Sequence, residues 1–579
     1  MKKKYRFYLE KFGKWNVFIL ITLLTISSFL EFIGIALVFP LIKIISNPEI
    51  ISEYNLYENL ENYFINLDTS QLVLLSLAGY GFVNFAKIVY SIFLTWFNIS
   101  LIFKIQVKLT KDLFKHYMYL PYMFHQKTNS AKLVRNVQSE ISIICKSLFY
   151  PFVTIITEII ILLTIIAFLF YLDPIAISVL VLFFLFFTVA YYGLINKKIK
   201  KWGEIRIFQD KIKLKNLLQS FAGIKEIKLL NKENYFIRKF FKPTYMVADQ
   251  FRKNSIVLQL PRFFLEFIFV ILILVYLFYN LNKGIELISI LPFLAVYVVA
   301  ALRILPSYLK IYQNFQLIKF SIPSFHKVYD EFNISSQKEI LSNKSEDFSF
   351  KKNIELSNIS FKYPGTTKTL FNDLNLNIRK GSCIGIMGPS GVGKSTLVDI
   401  ILGLIKVDKG KIECDGVNII ENLSGWFSMI SHIPQEVFIL DETLEENIIF
   451  GEREKKNSKQ ILDEVIDSAQ LNAFKNQKIE NNSETLGDRG VQISGGERQR
   501  IGIARALYNQ SQILILDEFT NALDATTEKK ILSLIGDLKN KKTIIMISHN
   551  ENIFNLCETV YKLDKGQLIK IKFEKNENN

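Results

Sequence analysis

Apolar positions in the first three hundred residues gather into long runs near 16–45, 71–103, 147–172, 175–196, 257–281 and 285–306. A hydrocarbon core of about 30 Å needs about 20 helical residues to cross it, so the pattern predicts about six spanning helices. Segments 104–146 and 197–256 are rich in Lys and Arg yet keep apolar residues at helical spacing. The spanning helices are therefore expected to run well past the membrane before reversing. Segment 46–70 instead carries Glu49, Glu53, Glu58, Glu61 and Asp68 without Lys or Arg. By the positive-inside rule the basic segments and both termini are cytoplasmic, and the acidic segment is external. Within it Leu56, Leu60, Tyr63, Phe64 and Leu67 share one helical face, as in a short interfacial helix or one packed on neighbouring spans.

After the sixth run, 325–350 turns polar and rich in Ser, Asn and Lys, and from Ile354 short apolar strands alternate with helical stretches. That alternation belongs to an α/β domain. The expected plan is a membrane domain over 1–325, a linker over 326–350 and a soluble α/β domain over 351–579. The run Val17–Ile45 is too long for a signal-peptide core and is expected to be a retained first span.

Composition agrees with a membrane part: half of the 579 residues are hydrophobic and mean hydropathy is +0.23. A net charge of +16 raises the question of a nucleic-acid partner. The cations concentrate between apolar runs, however, where membrane topology places them, so the bilayer is the expected partner and nucleic acid is not. Cys145, Cys383, Cys414 and Cys557 lack metal-ligand or disulfide-framework spacing and read as small buried hydrophobes in a reducing compartment.

Candidate chemistry lies in the second domain. Gly388-Pro389-Ser390-Gly391-Val392-Gly393-Lys394-Ser395-Thr396 follows the apolar strand Cys383 to Met387 and precedes a helical run from Leu397. This is a P-loop in its expected setting. Its backbone N–H groups curl around phosphate oxygens, Lys394 reaches the β- and γ-phosphates, and the Ser395 hydroxyl ligates magnesium. A second strand, Ile513 to Leu516, ends in Asp517-Glu518. Asp517 is placed to organise the magnesium shell through water, and Glu518 to polarise an attacking water. Between these motifs, Ser494-Gly495-Gly496-Glu497 opens a helix and offers backbone donors to an anion. ATP and Mg2+ are the expected cofactors.

On these motifs the domain 351–579 resembles the ATP-binding domain of ABC transporters. The resemblance implies that Tyr363 stacks on adenine, Gln435 senses magnesium and the γ-phosphate, Asn521-Ala522-Leu523-Asp524 forms the D-loop, and His549 contacts the γ-phosphate. It also implies a type IV, exporter-type fold, and a homodimer in which Ser494, Gly495 and Gly496 of one copy complete the P-loop site of the other. Two residues depart from the family pattern: Glu497 where Gln is usual, and Asn521 where Ser is usual. A carboxylate beside the triphosphate is expected to weaken binding unless Arg498 or Arg500 balances it. Thr485-Leu486-Gly487-Asp488-Arg489-Gly490 resembles the X-loop of ABC exporters, with coupling helices expected around Pro121–Gln126 and Phe221–Ile227.

Charged residues inside the apolar runs are Glu31, Lys87, Glu158, Arg262, Glu266, Arg303 and Lys310. Such charges are costly in a bilayer and usually face a cavity or a partner. Two arrangements are open. Lys87, Arg262, Arg303 and Lys310 form a basic ring suited to phosphate, or the charges pair internally, Arg262 with Glu266 and Glu31 with Lys87. The stretches Ser27 to Pro40 and Leu260 to Glu266 resemble bacterial lipid-linked oligosaccharide flippases of protein N-glycosylation. That resemblance implies a polyprenyl-diphosphate-linked glycan carried to the external leaflet of the cytoplasmic membrane. The alternatives are an exporter of another lipid, a peptide or a drug and, in another class, an ATP-gated channel or regulatory ATPase.

Overall fold

The computed structural model describes residues 13–46, 69–172, 174–283, 287–334, 349–451, 458–480, 485–487 and 493–572. The expected external helix over 54–67 lies outside them, as do Asp488, Arg489 and Gly490 of the X-loop-like segment. The chain divides into two compact units: one of residues 1–118 and 128–335, the other of residues 119–127 and 336–579.

The first unit is helical. It comprises α1 (Lys14–Ala36), α2 (Val38–Ser46), α3 (Thr69–Met118), α5 (Ser130–Arg135), α6 (Ile141–Ile144), α7 (Tyr150–Leu172), α8 (Pro174–Ala222), α9 (Ile224–Leu229), α10 (Glu233–Asn282) and α11 (Leu287–Phe332); α4 (Tyr122–Lys127) belongs to the other unit. Five stretches are long and apolar enough to cross a membrane among the described residues: Lys14–Ile42, Val73–Met118, Ser130–Leu172, Glu233–Asn282 and Phe293–Phe332. The remaining expected run, 175–196, lies in α8, a helix of 49 residues. Lengths of 50 residues for α3 and α10 give rods of about 75 Å, far beyond the hydrocarbon core. The expected extensions are therefore present. Short helices also stand near both expected coupling turns, α4 at 122–127 and α9 at 224–229.

The last helix differs from expectation. It continues to Phe332, into the stretch read as linker, because Phe325 and Val328 are almost fully buried and hold the extra turns in the bundle. Ile35, Val38, Ile161, Ile165, Val296 and Ala300 form a core joining α1, α2, α7 and α11. Below them the α5–α7 stretch is interrupted by π-helical turns at Asn136–Glu140 and Cys145–Phe149. The first turn carries Glu140, buried between Arg135 and Arg206 at 3.6 and 3.8 Å. Arg206 also donates to Ser324 Oγ at 2.8 Å. Gly203, one turn before Arg206, lets α8 approach the α11 backbone: a Cβ there would meet the Phe320 carbonyl oxygen at 2.5 Å.

The second unit holds two sheets. β1 (Asn353–Phe361), β2 (Phe371–Arg379), β4 (Lys409–Cys414) and β5 (Val417–Asn418) form an antiparallel sheet in the order β2-β1-β4-β5. The larger sheet has the order β10-β9-β3-β8-β7-β6, from β3 (Cys383–Met387), β6 (Ile430–Ile433), β7 (Ile513–Asp517), β8 (Thr543–Ile547), β9 (Thr559–Asp564) and β10 (Gln567–Ile571). β9, β3, β8, β7 and β6 run parallel, and only β10 is antiparallel to its neighbour. Every residue of β7 and β8 is buried, which is why these strands read as continuous apolar runs and not as alternation. The helices are α12 (Lys394–Ile401), α13 (Leu423–Met429), α14 (Leu444–Ile449), α15 (Ser458–Ser468), α16 (Asn472–Glu480), α17 (Gly495–Tyr508) and α18 (Ala525–Leu538).

Candidate functional site

In an open parallel sheet, ligands bind beyond the carboxyl ends of the strands. Here four neighbouring strands deliver the expected residues to one such edge. β3 runs into Gly388, β8 is followed by His549, β7 ends in Asp517 with Glu518 next, and β6 leads to Gln435. Strand order, which no local motif encodes, assembles the site.

The P-loop bends as its glycines allow. Gly391 and Gly393 sit at φ +80° and +112°, in the left-handed region, and Gly393 caps α12. Lys394 Nζ donates to the carbonyls of Gly388 at 2.8 Å and Pro389 at 3.2 Å, and lies 3.1 Å from His549 Nε2. Burial lowers the Lys394 pKa. Tyr363, expected against adenine, stands edge-on to Phe361 and lies 3.0 Å from Thr396 Oγ1 through its hydroxyl. That places its ring beside the start of α12.

Glu518 is the most constrained residue of the site. Its backbone is in the left-handed region at φ +48°, unusual for a side chain with a Cβ and typical of strain held at functional positions. Its N–H donates to the Ile547 carbonyl at 2.9 Å, tying it to β8. Its Oε2 accepts from Gln435 Nε2 at 2.8 Å and from Asn521 Nδ2 at 2.9 Å, while Oε1 lies 3.2 Å from His549 Nε2. A neutral imidazole cannot both accept from Lys394 and donate to Glu518 through one nitrogen. The tautomer of His549 therefore selects which of the two it serves. Asp517 is buried, and burial together with the neighbouring Glu518 raises its pKa to about 6.

The D-loop residue Asn521 thus holds the carboxylate expected to act on water, a role the sequence reading did not assign. The signal for it was the amide itself, which reaches further than the usual Ser and carries two donors. Gln499 of α17 also joins the two loops, with Nε2 3.5 Å from the Glu518 carbonyl and Oε1 3.4 Å from the Ala522 N–H.

Glu497 departs from expectation. Its carboxylate turns back to accept the Ser494 N–H at 2.7 Å, while Ser494 Oγ accepts the Glu497 N–H at 3.3 Å. This reciprocal capping box begins α17. The acid satisfies a helix-end donor. Arg500 donates instead to the Gln470 carbonyl at 3.0 Å. The Ser-x-x-Glu spacing was already visible in the sequence.

Beside the P-loop, α4 belongs to the ATP-binding unit. Met123 packs on the core that includes Tyr363, and Gln126 hydrogen-bonds Asp399 of α12. Burial and nearby Asp517 raise the Asp399 pKa to about 6. Leu486, in the X-loop-like segment, is fully buried and donates its N–H to the Glu442 carbonyl at 3.0 Å.

In the membrane unit, five charges from four helices form a chain. Lys87 lies 3.3 Å from Glu31 Oε2, and Arg303 Nε lies 2.9 Å from Glu31 Oε1. Glu158 Oε2 is 3.7 Å from Arg303, and Glu158 Oε1 is 2.8 Å from Lys310. Both carboxylates are buried. Three cations facing two anions leave one positive charge in excess. The expected Glu31–Lys87 pair is present, and Glu158, for which no pairing was expected, links Arg303 to Lys310. Arg262 and Glu266 pair with each other at 2.7 Å on an exposed stretch of α10. Their i,i+4 spacing had foreshadowed that pair.

The family model of the ABC transporter matches residues 371–521, and that of the ABC transporter transmembrane region matches residues 15–302. With the fold and the P-loop edge described above, the chain belongs to the ABC transporters as an exporter-type half-transporter, one membrane domain and one ATP-hydrolysing domain in a single multi-pass chain. It is similar to the ATP-dependent lipid A-core flippase of Wigglesworthia glossinidia brevipalpis, 26% identical over 508 residues, covering 86% of this chain and 83% of that one. The lipid A-core flippase of Pasteurella multocida is likewise 26% identical, over 80% of each chain. A solved bacterial Atm1-family ABC exporter with ATP bound superposes with a TM-score of 0.78 over 95% of this chain and 94% of that one; at 18% identity this shares the fold alone.

Proposed function

We propose that two copies of this chain form an ATP-driven flippase that carries a polyprenyl-diphosphate-linked oligosaccharide from the cytoplasmic to the external leaflet of the cytoplasmic membrane. The observation that carries this reading is the Lys87–Glu31–Arg303–Glu158–Lys310 chain with its surplus positive charge. A diphosphate entering there offers Arg303 bidentate acceptors in place of Glu31 and Glu158. The basic cytoplasmic segments orient the chain with both termini and the ATPase domain inside.

In each catalytic site, Lys394, Ser395, Asp517 and Glu518 of one copy work with Ser494, Gly495 and Gly496 of the other. The Ser395 hydroxyl, the Gln435 carbonyl and the Asp517 carboxylate are hard oxygen donors that fit Mg2+ with the rest of its shell from phosphate and water. Gln435 uses its NH2 on Glu518, which leaves its carbonyl oxygen for the metal. Held there, the ion would supply positive charge to offset that of the phosphates. Glu518 orients water, and His549 and Lys394 hold the γ-phosphate.

A second reading, export of another phosphorylated lipid, is favoured by the relatives named as lipid A-core flippases. Reconstitution of the full chain in liposomes separates the two. A lipid-linked glycan is expected to stimulate ATPase activity and to change leaflet only with ATP, and Arg303→Ala to abolish both effects. If lipid A alone does so, the substrate is lipid A; if neither lipid is moved, the flippase reading falls.

A further inference from the structure

A cavity of 580 Å³ opens among α7, α8, α10 and α11, lined chiefly by aliphatic and aromatic side chains. Most of its residues on α10 recur at helical spacing, Phe269, Leu272, Ile273, Tyr276 and Tyr279, with Lys283 at that helix's C-cap continuing the series, so one face of one helix forms a wall. Polarity along that face is graded. Phe269 to Ile273 are hydrocarbon, Tyr276 and Tyr279 add hydroxyls, and Lys283 ends the series with an ammonium. Lys283 Nζ stands 4.3 Å over the Tyr279 ring, which holds the charge at the polar end. Opposite, the Tyr297 ring meets Tyr276 edge-on at 5.2 Å. From Phe269 to Lys283 the wall is about 21 Å long, enough to run from mid-membrane, about 15 Å deep, out to the headgroup level.

We infer that this groove is a binding site for the single hydrocarbon chain of a lipid phosphate, with the phosphate held at Lys283. The gradient along α10 reproduces the gradient along one lipid, chain inward and anion outward. The volume is that of a pocket enclosing one small ligand, so it takes one chain over about the length of the wall, and a second chain or the remainder of a long one lies outside it. An isoprenoid phosphate has one chain. The inference rests on the proposed orientation and substrate, under which Lys283 lies at the external end and the groove receives the lipid after its phosphate leaves the Arg303 cluster.

The test uses the full-length protein in phosphatidylcholine nanodiscs with a benzophenone-tagged geranylgeranyl phosphate, irradiated, digested and mapped. Adducts are expected within 269–283 or 294–304. Undecaprenyl phosphate should displace the probe, and the uncharged prenol of equal length should do so at least tenfold less well. Ile273→Trp, which fills the groove, and Lys283→Glu, which reverses its charge, should each cut labelling at least fivefold. Basal ATPase activity within twofold of the parent reports that each variant is folded. Equal competition by phosphatidylglycerol would make the groove a general lipid crevice and overturn the proposal. So would adducts elsewhere, or labelling indifferent to both substitutions in folded protein. Labelling as expected without glycolipid flipping keeps this site and removes the proposed substrate; flipping without groove labelling does the reverse.

Discussion

The P-loop edge and the membrane charge chain are both carboxylates flanked by cations, yet they are built differently. In the ATP-binding unit, Lys394, Asp517, Glu518 and His549 sit at the ends of adjacent strands, each within a short motif whose backbone fixes its direction. In the membrane unit, Glu31, Lys87 and Glu158 come singly from three helices and Arg303 and Lys310 from a fourth, and only the register of those helices brings them together. The first design localises chemistry in loops on a rigid sheet. The second makes electrostatics a readout of how helices are packed, so any motion that slides one helix rearranges the pairs.

Five substitutions and one titration can break that contrast. The largest effect is expected at Glu518. Glu518→Gln should lower steady-state ATP turnover at least about 100-fold, the contribution typical of a positioned general base, while nucleotide binding by fluorescence persists. Turnover within a few-fold of the parent would remove Glu518 from the role given to it.

Next comes Glu158. Glu158→Gln leaves Lys310 without its carboxylate and Arg303 with Glu31 alone, and should cost up to about 3 kcal/mol, seen as a clear fall in the thermal midpoint of the purified protein. Lys310→Ala removes a half-exposed partner of the same carboxylate and should cost less than about 1 kcal/mol. Equal effects would mean that the chain is not organised around Glu158. Glu497→Ala, which opens the capping box, should cost about 1 kcal/mol, whereas Glu497→Gln, able to accept the same Ser494 N–H, should leave stability and ATPase activity nearly unchanged. A large loss in Glu497→Gln would restore an electrostatic role for the acid.

The smallest effect is a titration. Burial holds His432 neutral, with a pKa lowered to about 4 against 6.5 for the unfolded chain. Between these values the unfolded chain takes up a proton that the native one refuses, so this contribution is complete above about pH 6.5 and is lost on acidification towards 4. Asp399 and Asp517, raised to about 6, act in the opposite sense: the native state holds their protons more tightly, and stability rises as pH falls from 6 towards 4. Thermal midpoints of His432→Gln should therefore fall less on acidification than those of the parent measured at the same pH values.

Much of this molecule was legible before its structure. The P-loop, Asp517-Glu518 and the signature helix announce themselves because each is contiguous and its glycines or strand ends fix the local geometry. The long apolar runs foretold the helices, and their amphipathic continuations foretold rods longer than a membrane. What sequence could not supply was adjacency. Glu158 was visible as an intramembrane charge, but its partners are 145 to 152 residues away along the chain and depend on helix register. The linker boundary was misplaced because polar composition conceals the buried Phe325 and Val328. Glu497 was legible in another way: the Ser-x-x-Glu spacing already described the hydrogen bond its carboxylate makes.

The length of α3 also has a mechanical side. A helix of 50 residues is a lever about 75 Å long. A tilt of about 5° about one end sweeps the other through about 6 Å, roughly one full helical pitch. An angular change too small to break the packing at the fulcrum is thus enough to exchange contacts at the tip, which gives this chain a mechanical gain set simply by how far its helices overrun the membrane.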